Sequence, residues 1–163
     1  MEIYSPTYSE GEAVSYLTEQ MEKAGFQAEI DPIGSAIGRI GSGERHVLLL
    51  GHIDTAPGKL PVRKQGDLLF GRGAVDAKGP LAAFVAAAAQ VANRNMRITV
   101  VGAVHEEGNS AGATHLRDHC PEPDALIIGE PSGWDQVTLG YKGSVTYTLT
   151  AESDVAHPAS KKT

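Results

Sequence analysis

The 163-residue chain is 41% hydrophobic and 21% charged with a net charge of −6, enough apolar material for one respectable core and no sign of disorder. That acidic balance argues against nucleic acid or an anionic membrane as a main partner, since both recruit a basic footprint. No signal-peptide pattern follows Met1 and the longest apolar run, Leu81–Ala89, is too short to span a bilayer, so the chain reads as cytoplasmic, with its lone Cys120 a quiet, partly buried thiol.

Ser9-Glu10-Gly11-Glu12 predicts a capping box with Ser9 as N-cap, and Val14, Leu17, Met21 and Ala24 recur at helical steps until Gly25 closes the helix. Phe26–Ile30 reads as a short strand. Gly34–Ile40 and Arg45–Leu50 flank Gly41-Ser42-Gly43-Glu44, which reads as a hairpin turn. Val47–Leu50 is an unbroken aliphatic run ending in Gly51, as expected of a strand buried on both faces of a mostly parallel sheet. If the extended conformation persists past Gly51, His52 and Asp54 share a face, the arrangement in which a carboxylate steadies a ligating imidazole.

The loop Thr55–Gly66, with two prolines and the cations Lys59, Arg63 and Lys64, reads as surface. Asp67–Phe70 is a brief strand leading into a glycine-rich stretch from Gly71 to Gly79. Pro80 suits the first position of a helix whose apolar face is Leu81, Phe84, Val85, Ala88 and Val91, and whose alanines allow close approach to the sheet. Met96–Val104 is a second buried strand, Ala111–Asp118 a short helix stopped by Pro121 and Pro123, and Asp124–Ile128 a third buried strand. This alternation predicts an α/β layered fold with a largely parallel central sheet. From Gly140 the pattern changes. Val145–Thr150 alternates as a half-exposed antiparallel strand, which makes residues 1–141 one domain and 142–163 the start of another.

The three buried strands end in potential metal ligands: His52, the pair Glu106-Glu107, and Glu130. Asp76 lies in the glycine-rich loop before the second helix. Singly, each has an ordinary structural reading. Together they would crowd one edge of the sheet with carboxylates that repel, and a bound cation resolves that. One imidazole with several acids suits zinc, manganese or cobalt, and offers more acid than a single catalytic zinc uses. Two metals sharing a carboxylate would use the surplus and leave one Glu free as a general base. Phosphate chemistry is disfavoured, because Gly71-Arg72-Gly73 lacks the third glycine of the dinucleotide fingerprint and no Walker motif occurs. No G-x-S-x-G elbow is present either.

In order and spacing, Leu49–Thr55, Gly71–Gly79, Glu106-Glu107-Gly108 and Gly129-Glu130-Pro131-Ser132 resemble the metal-binding motifs of the co-catalytic zinc aminoacylase/carboxypeptidase family. Its members include acetylornithine deacetylase and succinyl-diaminopimelate desuccinylase. Ala74–Leu81 and Gly129–Asp135 look most like the branch of LysW-lysine/LysW-ornithine hydrolases, which free lysine or ornithine from a small acidic amino-group carrier protein.

The resemblance implies a three-layer zinc-exopeptidase-like fold, incomplete here, and two divalent metals, zinc foremost and cobalt an option. His52 and Glu130 would hold one metal, Glu107 the other, and Asp76 would bridge them, followed by a cis Asp76-Ala77 peptide. Glu106 would be the general base and Asp54 would orient His52. Lys142-Gly143 would open a lid or dimerisation domain, and a homodimer is the expected assembly of the complete enzyme.

His157 falls where the family has a lid histidine that stabilises the tetrahedral intermediate, although Pro158 departs from the usual small polar residue and an exposed tail histidine is the other reading. In the family a second His for the other metal lies beyond the lid. None of His46, His105, His115 or His119 substitutes for it, so the second site is incomplete. The expectation is therefore an N-terminal portion of a longer amide hydrolase of amino-acid biosynthesis. N-acyl-amino-acid deacylation, as by acetylornithine deacetylase, is the alternative, and a catalytically inactive metal-binding fragment the rival.

Overall fold

The computed structural model describes residues 1–91, 95–133, 135–140, 143 and 145–152. The chain divides into two compact units, Met1–Pro131 and Ser132–Thr163. In the first, α1 (Gly11–Lys23) is followed by β1 (Gln27–Ile30), β2 (Ala36–Ile40) and β3 (Arg45–His52). Then come β4 (Arg63–Gln65), β5 (Leu68–Phe70), α2 (Lys78–Val91), β6 (Met96–Ala103), α3 (Ala111–His119) and β7 (Ala125–Ile128). Five strands form the main sheet in the order β1-β2-β6-β3-β7, and β4-β5 form a separate hairpin.

The sheet is mixed. β3 runs parallel to β6 and β7, while β2 is antiparallel to both of its neighbours, β1 and β6. The expected hairpin between β2 and β3 therefore does not form: β6 lies between them and pairs with each. An apolar strand with six consecutive buried residues needs neighbours on both edges, and β6, arriving from far down the chain, takes that place. The surface loop after Asp54 contains a strand that was not expected, Arg63–Gln65, which turns back on Leu68–Phe70 through Gly66 at φ +59°.

One face of the sheet is covered by α1 and α2. Its core gathers Val14, Met21, Leu49, Leu81, Ala88, Ile98 and Val100. Gly51 and Gly102, register partners on β3 and β6, form a flat floor for it. A Cβ at Gly51 would stand 3.4 Å from Leu81, and one at Gly102 would stand 2.6 Å from Leu17 and 3.2 Å from Leu81. The alanine-rich helix α2 thus lies close, as its composition implies. Its first residue is Lys78, so Pro80 stands inside the first turn, where its missing N–H costs nothing. Among the described residues of the first unit, the opposite face carries α3 alone, packed through Leu116 on Ile37, Leu48, Val101 and Ala103.

The capping box expected at Ser9 is not made. Glu10 is the N-cap, without a side-chain cap bond, because its carboxylate reaches the backbone of His105 instead. At the other end Gly25, at φ +92°, closes the helix as expected, with Phe26 N–H returning to the Met21 carbonyl at 3.0 Å.

The third strand departs further from its reading: all four residues of β7 are exposed. Among the described residues it is an edge strand paired with β3 alone. In the second unit, the described residues form no helix or strand. The alternating segment 145–150 is unpaired, with Val145, Tyr147 and Leu149 at least 85% exposed, since a strand needs a partner to satisfy its backbone. Lys142 and His157 lie outside the described residues.

Candidate metal centre

β3 ends at His52, and its pairing with β6 carries one residue further, with Ile53 N–H donating to the Ala103 carbonyl at 2.9 Å. His52 and Asp54 are both essentially buried. His52 Nδ1 lies 2.9 Å from the backbone carbonyl of Asp54 and 3.4 Å from its carboxylate Oδ1. A carbonyl oxygen can only accept, so Nδ1 carries a hydrogen and the lone pair of the neutral ring sits on Nε2.

That nitrogen faces three acids, Asp76 Oδ1 at 2.9 Å, Glu130 Oε1 at 3.6 Å and Glu106 Oε2 at 3.9 Å. Burial opposes a charge on the ring, but hydrogen bonds to Asp54 and Asp76, with Glu130 and Glu106 nearby, push its pKa up to about 9. Burial pushes Glu106 and Glu130 upward in turn, the His52 charge pulls them back, and neighbouring carboxylates raise them again, Glu107, Asp54 and Asp76 acting on Glu106, and Glu106, Asp76 and Glu107 acting on Glu130.

A nitrogen lone pair aimed at carboxylates is satisfied in two ways, by a proton or by a metal ion. Ligand atoms of His52, Asp76 and Glu130 lie within 4.8 Å of one another, an imidazole and two carboxylates in the mixture that suits zinc or its neighbours. The donor set thus fits a divalent cation. Among the described residues Glu107 does not join that cluster. It is exposed, accepts from Ala56 N–H at 3.2 Å, and lines with Asp76 a cleft of about 230 Å³ beside the trio.

Asp76 reaches the site through a loop that Gly73 makes possible. At φ +81°, a Cβ there would stand 3.1 Å from the Lys78 methylenes and from Thr55. The Asp76-Ala77 peptide is cis. His46 sits at the opposite end of β3, its Nε2 2.9 Å from Thr99 Oγ1, and His115 and His119 stack on each other on α3. His105, at φ +64°, turns the chain out of β6 so that Glu106 and Glu107 follow in a tight turn, while its own ring packs on Tyr8.

Asp54 does more than orient His52. Its Oδ1 accepts from Glu106 N–H at 3.1 Å, and its Oδ2 accepts from Glu107 N–H at 3.0 Å and from the Thr7 hydroxyl at 2.9 Å. Burial would raise its pKa, but the hydrogen bonds from His52, these amides and Thr7 hold it below the usual carboxylate range. Ser5, Thr7, Glu10 and Lys78 escape a reading by periodicity. Their partners lie 47 to 95 residues away, and the polar cluster at Ser5–Glu10 reads locally as a turn and a cap.

The model for peptidase family M20/M25/M40 matches residues 48–162, which include all four motifs from the end of β3 onward. The chain belongs to this family. Within it, the chain is 49% identical over 158 residues to a Thermococcus kodakarensis protein with the provisional name LysW-lysine/LysW-ornithine hydrolase, covering 96% of this chain and 44% of that one. It is 44% identical over 151 residues to the LysW-lysine hydrolase of Deinococcus radiodurans, covering 89% and 41%. The chain thus spans less than half the length of these curated relatives. An M20 metallo-carboxypeptidase from Sulfolobus solfataricus shares the fold with a TM-score of 0.66 at 21% identity, over 77% of this chain and 34% of that one. Among the described residues no helix is long and apolar enough to cross a membrane.

Proposed function

We propose that the chain carries part of the active centre of a metal-dependent amide hydrolase that frees lysine or ornithine from an acidic amino-group carrier protein. The single observation behind this is His52 Nε2 facing Asp76, Glu130 and Glu106 with its other nitrogen committed to a backbone carbonyl. The names of the relatives supply the substrate class.

In this reading His52, Asp76 and Glu130 would hold one divalent ion, and Asp76 with Glu107 would serve a second. When bound, the ions polarise the scissile carbonyl and acidify water, and zinc or cobalt would serve. Glu106, 3.9 Å from His52 Nε2 and raised by burial, takes the proton of the attacking water and returns it to the leaving amine. Asp54 keeps His52 in the Nδ1–H tautomer. Residues 1–141 form the N-terminal part of the catalytic domain and 142–163 begin a lid, where His157 would meet the oxyanion of a dimeric enzyme. The exposed Lys59, Arg63 and Lys64 give the acidic carrier a basic surface to approach.

The test is lysine release from the carrier conjugate by the enzyme containing this chain, beside acetylornithine as the rival substrate. Glu106→Gln is expected to lower turnover by roughly 10²–10⁴-fold with zinc content unchanged. Turnover of acetylornithine alone would favour the deacylase reading. Zinc binding without any turnover would favour an inactive metal-binding fragment. Unchanged turnover in the variant would remove Glu106 from its role.

A further inference from the structure

The segment Ser5–Glu10 precedes every family motif, yet it is joined to two of them. Ser5 Oγ donates to the Ile53 carbonyl at 2.7 Å, and the Ser5 carbonyl accepts from Thr55 N–H at 2.9 Å. Thr7 donates to Asp54 Oδ2 at 2.9 Å, and Glu10, itself buried, accepts from His105 N–H at 3.2 Å. Tyr8 packs its ring on His105 at 4.7 Å. At Gly108 a Cβ would stand 2.8 Å from the Tyr8 hydroxyl and 3.0 Å from Thr7 Cγ2, so segment and turn interlock without room for a side chain.

Asp54 is the joint between these parts. Two backbone amides, of Glu106 and Glu107, each take one of its oxygens, and the Thr7 hydroxyl takes a further lone pair of Oδ2. Glu10 fixes the preceding amide of the same turn. Three consecutive amides, those of His105, Glu106 and Glu107, are thus aimed by acids, and both the Asp54 carboxylate and the first amide are anchored from the N-terminal segment. The direction in which Glu106 and Glu107 leave the turn follows from where those amides point.

We propose that Thr7 and Glu10 are positioning residues that set the Glu106-Glu107 turn against His52, so that the N-terminal segment tunes the metal site without touching it. The metal part of this rests on the hydrolase reading above; the positioning of the turn does not.

The experiment compares Thr7→Val, Thr7→Ser and Glu10→Ala with the wild-type chain, all metal-free, by amide hydrogen exchange, and then by zinc competition against a chromophoric chelator. Thr7→Val is expected to speed exchange at Glu106 and Glu107 roughly ten-fold or more relative to the β3 amides, and to weaken zinc binding by about 10–100-fold. Thr7→Ser, which keeps the hydroxyl, is expected to restore both. Glu10→Ala, which leaves Asp54 untouched, is expected to speed exchange at His105 and to weaken zinc in the same direction. Wild-type exchange and zinc affinity in Thr7→Val would overturn the proposal, as would Thr7→Ser failing like Thr7→Val with every amide faster. A turn that loosens in Thr7→Val while the wild-type chain takes no zinc would support the positioning role and overturn the metal reading instead.

Discussion

His52 commits one ring nitrogen to its own backbone neighbour and turns the other toward acids, so its protonation reports what fills the centre. Without metal its folded pKa stands near 9 against an ordinary 6.5. The folded chain therefore binds this proton more tightly than the unfolded chain does. The stabilisation it contributes is complete below about pH 6.5 and is lost as pH rises through about 9. Glu106 and Glu130, also raised, lose their contribution in the same direction at lower pH. Metal reverses the slope, because its ligands must be deprotonated. The metal-free chain is thus expected to melt lower at pH 9 than at pH 6.5, with the His52 ring signal titrating near 9 by NMR. Zinc is expected to raise the melting point more at the higher pH and to abolish that titration. A His52 midpoint near 6.5 in the metal-free chain would mean the carboxylates do not converge on the ring in solution.

The elements rest on a few close contacts, and α2 shows which one dominates. Leu81 is 1% exposed and lies over Gly51 and Gly102 at the point where β3 and β6 approach the candidate metal centre. Leu81→Ala leaves a cavity that glycines cannot fill. It is expected to cost about 2–5 kcal/mol in denaturant unfolding. A loss below about 1 kcal/mol would mean that α2 slides to close the gap.

The same contacts explain what could be read from the sequence. Helices and buried strands announce themselves through local periodicity, and α1, α2, α3, β3 and β6 lie where Val14–Met21, Leu81–Val91, Leu116 and the aliphatic runs place them. That His52, Glu106 and Glu130 would meet at one edge was legible because parallel strands bring their ends together, whereas the separation of Glu107 from His52, Asp76 and Glu130 was not. Strand order was not, since nothing near Gly41–Glu44 signals that Met96–Ala103 will enter between β2 and β3. Arg63–Gln65 was too short and polar to show itself. The roles of Thr7 and Glu10 depend on partners 47 and 95 residues away, beyond any local pattern.

At the scale of the molecule the two faces of the sheet are unequal. Within the first unit the face under α1 and α2 is closed, whereas among the described residues the other has the nine-residue α3 alone, and β7 leaves Leu126, Ile127 and Ile128 about half exposed beside the buried Leu48 and Leu49. An apolar edge strand with free N–H and C=O groups is a template for another strand. No charge or proline guards it, since Ala125–Ile128 is aliphatic throughout. The chain on its own is therefore expected to self-associate as its concentration rises, and sedimentation velocity would follow this. Leu126→Lys places a charge on the thinly covered face, next in register to Leu48, and is expected to shift the chain toward monomer. The candidate metal cluster of His52, Asp76 and Glu130 lies away from Leu126 in the register, so zinc binding is expected to persist in that variant. Self-association unchanged by the lysine would place the contact elsewhere on the surface and remove β7 as its cause.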